Sequence, residues 1–335
     1  MKAIVYAKAG LPIDDPQALY EADMPPPEPG PRDLLVKIQA ISVNPVDAKL
    51  RAGVQPGGPR VLGWDAVGKV EAVGTEVKLF EVGDEVWYAG DITRPGSYAE
   101  YGLVDERIAS RRPTTLSVAE SAALPLTAIT AWELLFDRLK VPESGGGGQS
   151  LLIIGAGGGV GSILVQLARE LTALTVIGTA SRPSTQAWVT QLGAHHVIDH
   201  SKPLKPQLTD LGIEHVDHVI SLTHTDIYYP QLVELLKPEG QLALIDDPAT
   251  LDAMPLKRKS ISLHWEFMFT RSMYRTQDMI LQHQLLERIA ALVDDGLLKS
   301  TVGQHLGKID ADNLRRAHAL VEAGRAQGKI VLEGF

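Results

Sequence analysis

The stretch "SGGGGQSLLIIGAGGGVGSILVQLAREL", Ser144 to Leu171, holds two glycine clusters a few residues apart. The first, Gly145 to Gly148, has no strand before it and no helix after it, so it reads as a flexible lead-in. The second, Gly155 to Gly161, lies between a buried apolar strand, "LLII", and the helical pattern "SILVQLAREL". That is the setting in which a glycine-rich turn cradles a phosphate. Such a turn needs a sharp bend, close backbone approach to the pyrophosphate and tight packing of helix on strand. The helix N-terminus then presents N–H groups and the positive end of its dipole to the anion. Counting back from Gly161, the frame is A-x-G-x-x-G, with Ala156 in the first position and Gly158 in the second. Gly158, Gly159, Val160 and Gly161 are the expected pyrophosphate contacts.

Downstream, strand and helix patterns alternate: "LTVIGTA", "TQAWVTQLG", "HHVID", "VDHVISL", "YPQLVELLK" and "QLALID". Repeated β–α alternation implies a parallel sheet covered by helices on both faces. Upstream, residues 1–125 are rich in short strand patterns broken by Pro and Gly, such as "KAIVYAK", "DLLVKIQAISV" and "VGKVEAVG", which suggests a barrel-like β unit. Past about Ile261 come two helical stretches, 277–295 and 313–324, and a last strand, "GKIVLEGF". The expected organisation is 1–125, 126–268 for the sheet of alternating elements, and 269–335.

The second strand of that sheet ends in "TASRPS". NAD binders usually place a carboxylate in this region, on the ribose 2′-hydroxyl. Here Ser181 and Arg182 stand instead, and they could donate to a 2′-phosphate. The plain alternative is an exposed arginine at a strand end. A Walker-type loop is ruled out by Ser162, where lysine would be needed, and no Tyr is followed four residues later by Lys.

Of 335 residues, 44% are hydrophobic and 22% charged, enough for a sizeable core. The net charge of −9 argues against nonspecific binding to nucleic acid or to a membrane surface. No apolar run reaches the roughly 18 residues of a spanning helix. Cysteine is absent, so there is no disulfide, thiolate nucleophile or cysteine–metal site. A cytoplasmic location fits this composition.

Taken in order, "VNPVDAKLR", "GWDAVGKVEAVG", "GDEVWY", "GSYAEY", "ESAALPLTAITAWELL", "GAGGGVGS", "LGAHHVID" and "GKIVLEGF" resemble the medium-chain dehydrogenase/reductase superfamily in its zinc-free quinone oxidoreductase branch. The resemblance runs through essentially the whole chain. It implies an α/β protein: a GroES-like β-barrel catalytic domain built from both chain ends, a doubly wound Rossmann domain in the middle, a nicotinamide in the cleft between them, and a homodimer; Ser181 and Arg182 in "TASRPS" make NADPH the expected cofactor. Zinc alcohol dehydrogenases of the superfamily carry a Cys ligand where this sequence has Asn44, and their Gly-His-Glu reads Gly63, Trp64, Asp65. His196 and His200 are four apart and His215 and His218 three apart, but "HHVID" reads as a strand, so His196 and His200 would not share a helix face, and no metal site is expected.

By the same resemblance Asn44 lies near the nicotinamide ribose and substrate, Thr130 lies near the nicotinamide, and Asp47 and Trp64 shape the pocket. Plainer readings remain: Asn44 as a turn residue ahead of Pro45, Asp47 as a helix cap, Trp64 as core. Tyr88 and Tyr274 are both available as proton donors, and nothing in the sequence selects one. Without a Lewis acid to stabilise an alkoxide, acceptors that take hydride readily are favoured: quinones and α,β-unsaturated carbonyls. Two rivals stand beside this, an enoyl-thioester reductase and a redox-inactive NADPH-binding protein of crystallin or sensor type.

Overall fold

The computed structural model describes residues 1–324 and 326–335. It divides into two compact units, Met1–Ile129 with Phe269–Phe335, and Thr130–Met268.

In the first unit the organising element is the long strand Asp33–Val43, eleven residues with near-alternating burial. It is antiparallel to three neighbours at once. Ala66–Val73 runs along most of it, Tyr101–Asp105 pairs with residues 33–37, and Lys329–Glu333 pairs with residues 40–43. Register shifts at Leu35/Val36 and Ile38/Ala40 bend the strand, as bulges do, and let its two ends take different partners. Leu34, Val36, Val70, Val86, Val104 and Ile108 pack on one face of this sheet. A smaller antiparallel sheet centres on Lys2–Tyr6, between Tyr20–Asp23 and Arg60–Val61. Backbone bonds from Ile4 N–H to Tyr98 O (2.7 Å) and from Glu100 N–H to Lys2 O (3.0 Å) stitch it to the larger one.

The second unit is a six-stranded parallel sheet in the order His196–Ile198, Thr175–Thr179, Ser150–Ile154, Val216–Ser221, Leu236–Leu244, Ser262–Trp265. Numbered along the chain this is 3-2-1-4-5-6, the doubly wound arrangement whose ligands bind where the order reverses. Residues 151–154 are fully buried, as a central parallel strand with two covered faces requires. The sixth strand, "SLHW", was not read from the sequence, which placed two helices and the strand "GKIVLEGF" after about Ile261. The segment 118–138 is two short helices, Val118–Ala122 and Pro125–Trp132, followed by a π-helical turn, Glu133–Arg138. No helix among the described residues is long and apolar enough to cross a membrane.

The first glycine cluster is more ordered than a loose spacer. Gly145 N–H bonds Pro142 O (2.9 Å), Gln149 N–H bonds Gly146 O (3.0 Å), and Gly145 O receives Ala173 N–H (2.7 Å). These turns tie the entry of strand Ser150–Ile154 to the end of the following helix.

Candidate active site

In the second unit the strand Ser150–Ile154 ends on Gly155, whose φ of +82° makes the bend. Gly155 stands one residue before the A-x-G-x-x-G frame, so sequence spacing alone did not single it out. Gly158 caps the helix Gly159–Leu171 from an extended conformation. The N–H groups of Gly159, Val160 and Gly161 therefore lie in the first turn, where a helix has no acceptors of its own to offer. Gly158, Gly159 and Val160 are half-buried, so that turn is reachable. A Cβ on Gly161 would stand 2.5 Å from both Ala156 Cα and Gly155 O, so glycine is required there for the helix to pack this closely. The arrangement fits a dinucleotide pyrophosphate: backbone donors in the first turn of a helix and the positive end of its dipole.

Ser181 and Arg182 follow the second strand, Ser181 half-buried and Arg182 exposed as the N-terminal cap position of the helix Pro183–Gln191. Beside them lies a chain of contacts that sequence reasoning missed. Thr179 Oγ1 accepts from Gly155 N–H (3.0 Å) and meets His200 Nδ1 (3.2 Å). Burial holds the His200 imidazole below its ordinary range, partly opposed by Asp199. The signal was present in the parallel pairing of "VIGT" and "HHVID", which brings residues 179 and 198 level.

In the first unit, the pairing described above builds a second polar centre. Ile330 stands opposite Val43 and Ala66 opposite Ile41, so the next residues along, Lys329, Asn44 and Asp65, meet at the end of the long strand. All three are buried, Asn44 at 1%, Asp65 at 0% and Lys329 at 3% exposure. Asn44 Nδ2 donates to Asp65 Oδ2 (2.8 Å) and to Trp64 O (3.2 Å). Lys329 Nζ donates to Asn44 Oδ1, to Asp65 Oδ2 (3.0 Å) and to Val43 O (3.3 Å). Asp65 is completed by Ser42 Oγ (2.7 Å) and by Leu126 N–H (2.8 Å).

Asp47, three residues into this arrangement, accepts from Asn44 N–H (2.7 Å) and from the Tyr98 hydroxyl (2.8 Å), both on Oδ2. It thus caps the helix Pro45–Gly53, and its Oδ1 has no partner. Burial raises its pKa to about 7. Tyr98 in turn meets His318 Nε2 (3.3 Å), and burial depresses that imidazole to about 3. Trp64 is buried, its indole N–H on Asp91 O (3.2 Å) and its ring edge-on to Phe269. Thr130 is buried at 5% exposure in the helix Pro125–Trp132. Of the two tyrosines, Tyr274 is 72% exposed, and Tyr88 is buried with its hydroxyl raised by burial.

The residues at the positions compared with zinc ligands are engaged with one another and with the backbone. Asn44 and Asp65 are bridged by an ammonium, position 64 is an indole facing a carbonyl, and the chain has no cysteine. Among the described residues no three His, Cys, Asp or Glu side chains gather to hold a metal.

Comparison with known proteins agrees with this architecture. Residues 30–114 match the alcohol dehydrogenase GroES-like domain, and residues 192–332 match the zinc-binding dehydrogenase family. A zinc-type alcohol dehydrogenase-like protein of Staphylococcus epidermidis is 40% identical over 335 residues, 99% of each chain. The chain belongs to the medium-chain dehydrogenase/reductase superfamily, in its quinone oxidoreductase branch. A quinone oxidoreductase of Lama guanicoe is 28% identical across 99% of this chain and 97% of its own. A solved structure from Rhizobium etli, described provisionally as a zinc-dependent alcohol dehydrogenase, superposes with a TM-score of 0.96 at 53% identity, covering 100% of this chain and 98% of that one. The family consists of oxidoreductases that bind nicotinamide dinucleotides, and the GroES-like and Rossmann folds expected from the sequence are both present.

Proposed function

We propose that this protein is a zinc-independent, NADPH-dependent oxidoreductase that reduces quinones or α,β-unsaturated carbonyls. The observation that carries the reading is the buried Lys329 ammonium bonded to Asn44 and Asp65, at and beside the positions where zinc relatives place ligands. With no Lewis acid there, an acceptor already prone to take hydride is the chemically matched substrate.

Bound NADPH supplies the hydride from its C4 position. Gly158, Gly159, Val160 and Gly161 hold the pyrophosphate through backbone N–H groups. Ser181 and Arg182 meet the 2′-phosphate, and no carboxylate stands in "TASRPS" to repel it. Asn44 and Thr130 serve the nicotinamide ribose end. Asp47 and Trp64 act from behind Asn44, Asp47 by holding its N–H and Trp64 by lending it a carbonyl. No protein side chain is assigned as proton donor, and solvent water suffices for the reduced acceptor. We further propose a homodimer joined along the edge strand Ser262–Trp265, with Trp265 51% exposed, and a cytoplasmic location consistent with the lack of cysteine.

The test is an NADPH-oxidation screen over quinones, enones, enoyl-CoA thioesters and aldehydes, run with and without EDTA, with elemental analysis of the purified protein. Turnover of quinones or enones, unaffected by EDTA and with far less than one zinc per chain, is expected. Activity confined to acyl-CoA thioesters would favour the enoyl-thioester reductase, and cofactor binding without turnover the redox-inactive protein. Stoichiometric zinc required for turnover would sink the proposal.

A further inference from the structure

The first unit buries a positive charge with every donor committed. An ammonium has three N–H donors and no acceptor. Lys329 Nζ has three partners, Asn44 Oδ1, Asp65 Oδ2 and Val43 O. None is left for a substrate, so Lys329 acts on chemistry only through its neighbours.

Its principal effect falls on Asn44. A carboxamide can turn end for end, exchanging donor and acceptor. Here Lys329 can only donate, so it fixes Oδ1 on its side. An ionised Asp65 can only accept, so it fixes Nδ2 on the other. Both Nδ2 hydrogens are consumed, by Asp65 and Trp64 O. What remains is one lone pair on Oδ1. Asn44 can therefore meet a ligand only as the acceptor of an O–H or N–H, and a ribose hydroxyl is the group of that class on the proposed cofactor. The same Asp65 carboxylate receives Leu126 N–H at the start of the helix Pro125–Trp132, so the pair also fixes the entry of the helix that carries Thr130.

We propose that Lys329 is a positioning residue: its buried ammonium does the organising work that a metal does in zinc relatives, locking Asn44 as a hydrogen-bond acceptor toward the nicotinamide ribose. This rests on the reading of the chain as a nicotinamide-dependent oxidoreductase. The network is charge-balanced and closed, which separates the role from simple stability. Removing Lys329 alone strands a buried carboxylate and destabilises the fold. Removing both charges leaves a neutral cluster that can still fold while losing the lock on Asn44.

The deciding experiment compares wild type with the Lys329→Met/Asp65→Asn double variant, and Lys329→Ala with and without n-propylammonium. NADPH affinity is read by calorimetry, kcat and acceptor KM by NADPH oxidation, and the folded fraction by thermal unfolding. The double variant should be folded, yet bind NADPH at least tenfold more weakly and lose roughly tenfold to a hundredfold in kcat, the scale of a small misplacement at a reacting centre. Acceptor KM should hold. For Lys329→Ala, n-propylammonium should restore NADPH affinity saturably, and tetramethylammonium, which has no N–H, should not. A folded double variant with wild-type kcat and NADPH affinity overturns the inference. If the double variant does not fold, failure of n-propylammonium to restore Lys329→Ala overturns it instead. Wild type that binds no nicotinamide cofactor defeats the functional reading, an outcome distinct from wild type and double variant binding it equally.

Discussion

Asp47 offers the sharpest quantitative test, because its environment makes stability depend on pH in an unusual direction. Its carboxyl is buried and raised to about 7, with burial the largest cause. The groups that face it are Asn44 N–H, the Tyr98 hydroxyl, Lys329 and Asp65, the last a like charge that adds to the rise. In the unfolded chain the same group ionises near 3.8. Below that pH both states are protonated and the site contributes nothing. Between 3.8 and about 7 the folded state keeps a proton that the unfolded state releases, so stability falls as pH rises. Above 7 the full cost of the buried charge is present. At 1.36 kcal/mol per pH unit, the span corresponds to about 4 kcal/mol, and relaxation around the charge brings the expected observable to about 2–4 kcal/mol.

The Asp47→Asn variant mimics the protonated acid. Its amide oxygen still accepts from Asn44 N–H and Tyr98, and its nitrogen takes the place of the unpartnered Oδ1. Urea unfolding of both proteins from pH 4 to 9 should show the variant gaining on wild type by up to about 1.4 kcal/mol per unit, then levelling above about pH 7. A difference that stays constant across this range would mean the carboxylate is already ionised in the folded protein at low pH, and the argument from burial would fail.

Gly159→Val should weaken NADPH binding much more than it lowers the melting temperature of the cofactor-free protein; unchanged binding in calorimetry would place the pyrophosphate elsewhere. Arg182→Ala should weaken NADPH binding by about tenfold to a hundredfold, since a charge-assisted hydrogen bond is worth roughly 1.5–3 kcal/mol, while leaving NADH nearly unchanged. Exposure of Arg182 puts the effect at the lower end and makes it shrink with salt, and equal loss for both cofactors would show that the arginine does not read the phosphate. Trp265→Arg should shift the assembly toward monomer in sedimentation at micromolar concentration, whereas a wild-type protein that is already monomeric would remove the edge strand Ser262–Trp265 as an interface.

The sheet unit was legible because its signals are local. "LLII" followed by glycines and an amphipathic run specifies a strand, a turn and a helix without reference to anything distant. "SLHW" escaped because an edge strand of four residues needs no continuous apolar run, and two of these four are Ser and His. Gly155 escaped because motif spacing counts positions, whereas the bend depends on which residue takes a positive φ. In the first unit Asn44, Asp47 and Trp64 were singled out, but Lys329 and the bond pattern that joins it to Asn44 were not. That association follows from strand register, Ile330 against Val43, and register is set by the bulged pairing of Asp33–Val43 with three partners. Two of those partners are local enough to guess, and the third lies at the far end of the chain.

That third partner has a consequence for how the protein is made. The contact between Lys329 and Asn44 spans 285 positions. On a ribosome, the second unit, continuous from Thr130 to Met268, can emerge whole and close on itself while residue 329 is still unsynthesised. Through that interval Asp65 and Asn44 have no cation, and the end of the long strand at residues 40–43 is an open edge. Closure by Lys329–Glu333 is thus a late, long-range event of the kind that slows folding and exposes nascent chains to mispairing. A chain stopped before residue 329 would be left with a complete sheet unit and a first unit whose buried carboxylate has lost its counter-charge.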